Sequence, residues 1–453
     1  MQADSGGTIV QLFEWRWTDV AVECCAFLGP REFDAVQVSP PQETFSTSSL
    51  DEYCSAAQWC SSYQPVSFHI GNRLGDRSSF ESMVSTCRRC GVRIFADAVI
   101  NHMAEGNGTG SSSGAAFGNR TFADAGMTPQ DFHHDEGDAS RNCVISDFTN
   151  RANVQQCDIG FLPDVRLSPK SPSRGRAPVG RQFSCGHAAR LTTTTHLSRP
   201  SQIASGASMP QRRLGAYLGD LASLGVAGFR VDAAKHIDAL ELGAILSANE
   251  SARGKEAYQE VRGTPGEAVQ PTEYVGNGRV TEFGLGERIS TAVRAGDLAS
   301  LRGVTDDLQL PSEAALVFID NHDSQRSAAF LAQSTPRAAA KERSFRIGSD
   351  RIAKERVGSD RIAKERSFRA PLRAVEWAQS TRGLSRAASV RAAEVLTFKD
   401  GELYALASAF LLAWPYGRAR VMSSYAFTDP KVGTAHTAIP SKSQQDPRAA
   451  AAG

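Results

Sequence analysis

The sequence predicts an α/β protein: a (β/α)8 TIM barrel, in which eight parallel strands alternate with helices and close on themselves. Three observations carry this. Short apolar runs bounded by turn residues alternate with amphipathic stretches of helical period. Four of the runs end in acid, amide or histidine, at Val92 to His102, Gly228 to His236, Ala257 to Val261 and Ala315 to Asp323. Acids at the C-terminal ends of several parallel strands describe the face where such barrels gather their catalytic groups.

The organising stretch is Gly225 to His236. Gly228 to Val231 is apolar apart from Arg230, which suits a strand buried on both faces. Arg230 and Asp232 are tolerable there only if each finds opposite charge, hydrogen bonds or a bound ion. A structural ion pair would explain one such segment. Its recurrence at four strand ends favours a site.

Composition bounds the partners. With 41% hydrophobic and 22% charged residues in 453, the chain is globular, and no apolar run approaches the roughly 20 residues of a membrane span. A formal net charge of +1 gives no drive toward nucleic acid or acidic lipid, so neither is expected as a partner. Nine cysteines leave the redox compartment open. Met1 to Gly7 lacks a basic segment and an apolar signal core, which reads as a cytosolic protein or an incomplete N-terminus.

Thr8 to Phe13 and Ala35 to Ser39 read as the first two strands, with an amphipathic helix over Val20 to Leu28 between them. A helix over Ser79 to Cys90 leads into the third strand at Val92, putting Cys24 and Cys87 on neighbouring outer helices within bridging reach. Residues 1–103 thus form the first barrel part. Over 104–210 the alternation stops, which reads as an excursion domain off the third strand. There, Gly106 to Gly118 reads as flexible, and Cys143 and Cys157 flank a turn-rich stretch that a disulfide would staple. The stretch 168–209 is rich in Ser, Arg, Pro and Thr without periodicity and reads as a disordered insert.

The second barrel part, 211–326, holds a helix over Arg212 to Leu224, the fourth strand, a helix over Leu240 to Ala248, and the fifth strand at Tyr258 to Val261. It continues with a sixth strand at Val280 to Phe283, a helix over Arg288 to Ala295, and the seventh strand at Ala315 to Ile319. Within 327–394, Gly-Ser-Asp-Arg-Ile-Ala-Lys-Glu-Arg occurs at Gly348 and again at Gly358. This reads as a low-complexity tandem insert, since the period fits no common solenoid. A third part, 395–428, supplies a helix over Glu402 to Leu412 and the eighth strand at Arg420 to Ser424. A disordered tail, 429–453, follows.

Leu12-Phe-Glu-Trp-Arg-Trp, Val36-Gln-Val-Ser-Pro-Pro, Asp97-Ala-Val-Ile-Asn-His, Phe229-Arg-Val-Asp-Ala-Ala-Lys-His, Phe318-Ile-Asp-Asn-His-Asp and Arg420-Val-Met-Ser-Ser-Tyr together resemble the animal-type α-amylases of glycoside hydrolase family 13. The resemblance implies retaining endo-hydrolysis of α-1,4-glucosidic bonds in starch or glycogen. Asp232 would be the nucleophile, Glu260 the general acid/base, and Asp323 the third carboxylate, which orients the sugar. A retaining glycosidase sets two carboxyls about 5 to 5.5 Å apart, one attacking the anomeric carbon while the other protonates the leaving oxygen. Arg230, on the same side of its strand as Asp232, is expected to keep that group ionised.

The resemblance further implies substrate contacts from Trp59, Tyr63, Gln64, Asp97, His102, Arg230, Lys235, His236 and His322. Calcium would be held by the side chains of Asn101 and Asp164 with the backbone carbonyls of Gln155 and His236. Chloride would sit among Arg230, Asn321 and Arg420, where it would offset the arginines' pull on the proton of Glu260. The implied partner is an α-glucan, the implied state a monomer, and the implied compartment secreted or endomembrane, although no signal peptide is visible.

Four departures from the family pattern stand out. Cys60 replaces the second of two expected aromatic residues, leaving Trp59 alone at that subsite. The repeat segment stands where a mobile Gly/His-rich loop is expected. The span from Asp232 to Glu260 is short, and the closing barrel helix and a C-terminal β-sandwich have no counterpart. Three other readings stay open here: a glucan-binding relative without catalysis, a family member that transfers glucan chains or acts on maltose, and a basic interaction protein that uses the Arg/Lys repeats.

Overall fold

The computed structural model describes residues 7–49, 54–134, 143–160, 162–167, 208–325 and 395–423. The readings for 168–207, for the 327–394 insert and for the tail lie outside these residues. Eight parallel strands close a barrel in chain order: β1 (Ile9–Leu12), β2 (Ala35–Val38), β3 (Arg93–Ala98), β4 (Gly228–Val231), β5 (Glu256–Gln259), β6 (Arg279–Glu282), β7 (Ala315–Val317) and β8 (Arg418–Ser423). Ile9, Ala35, Phe95, Tyr258 and Leu316 pack together as one buried cluster contributed by five strands. Such packing makes the barrel interior a core and leaves the strand ends for chemistry. In the strand register Arg230 stands opposite Asp97 on β3 and Tyr258 on β5.

Several boundaries differ from expectation. β5 ends at Gln259, so Glu260 is the first residue beyond the strand. The first helix spans Trp17–Glu23 and widens into a π turn over Cys24–Leu28. A regular helix turns successive residues about 100° apart, whereas this turn presents both adjacent cysteines to the helix Arg77–Arg89. Cys24 bonds to Cys87 as expected, and Cys25 bonds to Cys90 beside it. The helix Met209–Ser223 starts earlier than Arg212. Ser208 caps it by accepting from the backbone N–H of Gln211, with Pro210 in the first turn. Ser208 and Met209 therefore belong to this helix and its cap.

The excursion also begins earlier than its predicted boundary. A six-stranded antiparallel sheet joins Gln42–Ser48, Pro65–Asn72 and Gly75–Asp76, which precede β3, to Gly108–Gly110, Ala116–Gly118 and Thr121–Phe122, which follow it. Gly106 to Gly118 therefore contributes two strands to this sheet. A Cβ on Gly108 would collide with the backbone oxygen of Thr47, so glycine here permits close strand approach rather than flexibility.

The chain divides into two compact units. The first holds the whole barrel and the antiparallel sheet. The second, Leu285–Asp306 with Ile319–Pro415, contains most of the helix Phe283–Ala295 and the helix Glu402–Ala413. Within it Tyr404 donates to Asp320 at 2.7 Å, and the Leu396 N–H donates to Ser290 at 3.0 Å.

Candidate active site

The centre of the first unit is Arg230. Its Nη1 lies 2.7 Å from both carboxylate oxygens of Asp97 and 2.8 Å from Asp232 Oδ1, and its Nη2 lies 2.9 Å from Glu260 Oε2. One buried guanidinium thus gathers three carboxyls from the ends of three neighbouring strands. Asp97 also accepts from the Tyr63 hydroxyl at 3.0 Å and from Gln37 at 3.4 Å. Gln37 in turn accepts from Tyr258 at 2.6 Å and from Arg420 Nη1 at 3.0 Å. The sequence reading missed Gln37; an amide inside the apolar run Ala35-Val-Gln-Val was its only signal.

Glu260 is fixed from its backbone outward. Its N–H donates to Val231 at 3.0 Å, its carbonyl accepts from Lys235 at 3.2 Å, and its carboxylate accepts from the Ala233 N–H at 3.0 Å. That last donor is aimed by a left-handed backbone at Ala233, with φ of 49°, a conformation non-glycine residues hold only when the surroundings enforce it. Burial pushes the carboxyls of Asp97 and Asp232 upward, and Arg230 offsets this only in part. Arg230 thus acts on Asp232 in the expected direction, favouring the ionised form, although desolvation outweighs the ion pair and leaves the carboxyl raised.

The nine expected substrate contacts separate in the structure. Trp59 packs its ring on Phe13 and Tyr63, each at 6.0 Å between centroids. Gln64 accepts from the Glu105 N–H at 3.3 Å. His102 bonds the Tyr63 carbonyl and His236 the Val154 carbonyl, each at 3.0 Å, and burial pushes both rings down to about 4, leaving them neutral at neutral pH. Asp97 is 0% and Arg230 2% exposed, and the hydrogen bonds between them hold the site together. Lys235 is committed to Glu267 at 2.5 Å and to the Arg262 carbonyl at 2.7 Å. Asn321, His322 and Asp323 belong to the second unit, where His322 lies 3.4 Å from Asp323.

Two ligand sets can be tested against unsatisfied atoms. Asp164 is 1% exposed, its Oδ2 has no hydrogen-bond partner among the described residues, and burial raises its pKa well above the usual carboxylate range. The Asn101 carbonyl accepts from Val165 at 2.8 Å, next to Asp164 in sequence. Gln155 donates to the Ile237 carbonyl at 3.4 Å, beside His236. A buried carboxylate oxygen without a hydrogen-bond donor fits a hard cation. Arg420 is 2% exposed and leaves Nε and Nη2 without partners among the described residues. Unused buried donors of a guanidinium fit an anion. Arg230, in contrast, spends its terminal nitrogens on carboxylates.

Eight of the nine cysteines form four disulfides: the two already described, Cys54–Cys60, and Cys143–Cys157. Cys60, read from sequence as a lost aromatic, is thus half of a cross-link that adjacent spacing did not reveal.

Carboxyls borne on neighbouring strand ends and tied to one buried arginine define a (β/α)8 barrel with a carboxylate site. No protein-family model matches the chain. It is 33% identical over 442 residues to a pancreatic α-amylase of Sus scrofa, covering 94% of this chain and 66% of that one. It is 32% identical over 423 residues to an α-amylase of Streptomyces violaceus, covering 93% and 53% respectively. Among solved structures, α-amylase I of Eisenia fetida, as a mutant in complex with maltohexaose, superposes with a TM-score of 0.64 at 30% identity, over 93% of this chain and 67% of that one. The wild-type structure of that enzyme gives a TM-score of 0.65 at 29% identity, over 95% and 70%. The chain belongs to the α-amylase family, glycoside hydrolase family 13. It spans between about half and two thirds of the length of these two curated relatives.

Proposed function

We propose that the chain is an α-amylase that hydrolyses internal α-1,4-glucosidic bonds of starch or glycogen with retention. The observation that carries this is the seating of Asp232 and Glu260 on the two terminal nitrogens of Arg230. Asp232 attacks the anomeric carbon while Glu260 gives its proton to the departing glycosidic oxygen. Water then opens the glycosyl ester as Glu260 takes back a proton. Asp323, which lies in the second unit, is the residue to which the family resemblance gives the role of orienting the sugar. Trp59 and Tyr63 offer ring faces to glucose units, and His102 and His236 offer hydrogen bonds to hydroxyls, with Gln64 and Lys235 at the margin; the family resemblance gives His322, in the second unit, the same role.

Asn101, Gln155, Asp164 and His236 would hold a calcium ion that ties the excursion to the barrel. Arg420, with Arg230, would hold a chloride ion; Asn321, also implied by the family resemblance, lies in the second unit. The protein acts as a monomer on an α-glucan. Four disulfides suit a secreted or endomembrane compartment, and among the described residues no helix is long and apolar enough to cross a membrane.

Product analysis on a long linear α-1,4-glucan tests the reading. Early mixtures of oligosaccharides are expected. Release of glucose alone, or of lengthened chains, would overturn it in favour of an exo-acting or transferring relative.

A further inference from the structure

The segment that carries Trp59 is held unequally at its two ends. Trp59–Tyr63 forms a 3-10 turn. Its C-terminal end is anchored by side chains: Ser62 donates to Glu14 at 3.2 Å, and Tyr63 to Asp97 at 3.0 Å. Trp59 stands at the other end, where its described ring contacts are apolar ones, to Phe13 and Tyr63. Its ring packs on the buried cluster of Phe13, Tyr63, Val99 and Met422, and the backbone that carries it is closed locally. The Cys54–Cys60 disulfide closes a loop around Trp59. Inside it the Ser55 N–H donates to Gln58 Oε1 at 2.9 Å and the Gln58 N–H donates to the Ser55 carbonyl at 2.9 Å, and just outside it Ser61 Oγ donates to the Gln58 carbonyl at 2.7 Å. Cys54 is 7% exposed, so the cross-link is seated in the fold rather than hanging from its surface.

We infer that the Cys54–Cys60 disulfide is a positioning element for glucan binding: it holds Trp59 at the angle at which its ring receives a sugar. This rests on the proposed glucan-binding function. An aromatic platform that must be ordered at the moment of binding loses affinity to the ordering, whereas one fixed beforehand does not. A chain with one aromatic at this place depends on that fixing more than a chain with two adjacent rings. The cross-link acts through Trp59 and touches no reacting atom, so its loss falls on binding rather than on the chemical step.

The test is a fluorescence titration with maltohexaose of the full chain, the double variant C54S/C60S, and W59F, alongside KM and kcat on starch and a thermal melt. The double variant is expected to bind about three- to tenfold more weakly, with KM raised by the same factor, kcat within twofold of the parent, and the main melting transition kept. In W59F, adding C54S/C60S is expected to weaken binding no further. If the double variant binds as the parent does, or loses kcat and KM together, the disulfide does not position Trp59 and the inference fails. If the parent itself does not bind maltohexaose, the proposed function fails with it, which separates the two outcomes. If W59F binds as tightly as the parent, Trp59 is no platform and the inference is overturned on that ground.

Discussion

Arg230 meets Asp232 through Nη1 at 2.8 Å, and both side chains are buried. The same guanidinium is the cation that neutralises Asp97, which has no exposed surface of its own. Arg230→Gln would leave that carboxylate buried and unpaired, and removing one partner of a buried pair costs about 3–5 kcal/mol. A urea unfolding midpoint should fall accordingly, with the slope unchanged. An unaltered midpoint would show that Asp97 finds another partner.

Burial raises the Asp232 carboxyl against the pull of Arg230. A nucleophile must be ionised, and its protonated fraction grows as pH falls, so activity is lost as pH drops through the raised value. The acid limb of kcat/KM should therefore lie above the ordinary aspartate value of about 3.9. The folding term has the opposite sense: a carboxyl raised in the folded state favours the fold below its unfolded pKa, and that contribution is lost as pH rises through the folded one. A pH–rate profile in a buffer series checks the first statement. An acid limb at or below the ordinary value would contradict it.

Asp164 Oδ2, buried and without a hydrogen-bond partner among the described residues, is where the proposed calcium ion would bind. Chelator should lower the melting temperature, and added calcium should restore it, by about 2.7 kcal/mol when calcium stands a hundredfold above its Kd. Asp164→Asn should melt lower in calcium and respond little to chelator. Equal melts with and without chelator would assign Asp164 to packing alone.

Arg420 uses Nη1 on Gln37 and leaves two donors without partners among the described residues. After dialysis into chloride-free buffer, activity should fall several-fold and return with added chloride, and Arg420→Gln should remove the response. Chloride-insensitive activity in the parent would mean that these donors serve no anion.

The barrel was legible because its strands, buried on both faces, read as apolar runs whose polar residues crowd at one end; Asp97, Arg230, Asp232 and Glu260 all fall in such places. Less legible was what depends on distant pairing. The strands Gln42–Ser48 and Pro65–Asn72 lack clean alternation because Glu43, Thr44 and Ser67 are buried and hydrogen-bonded inside the sheet, as in the 2.5 Å bond from Ser67 to Glu43. Gly108 looked like a flexible linker residue because only the opposing Thr47 backbone explains it. The disulfides of Cys25 and Cys60 were unreadable because connectivity is set by spatial neighbours, and Gln37 was passed over because one amide in a strand carries no signal until Asp97, Tyr258 and Arg420 surround it.

The central claim is that Asp232 is the attacking group on a glucan. Reducing-sugar release from starch, measured on the parent chain and on Asp232→Asn under identical conditions and with matched circular dichroism, tests it most directly. The account predicts a loss of at least about a hundredfold in a variant that remains folded. Equal rates in the two proteins would contradict it.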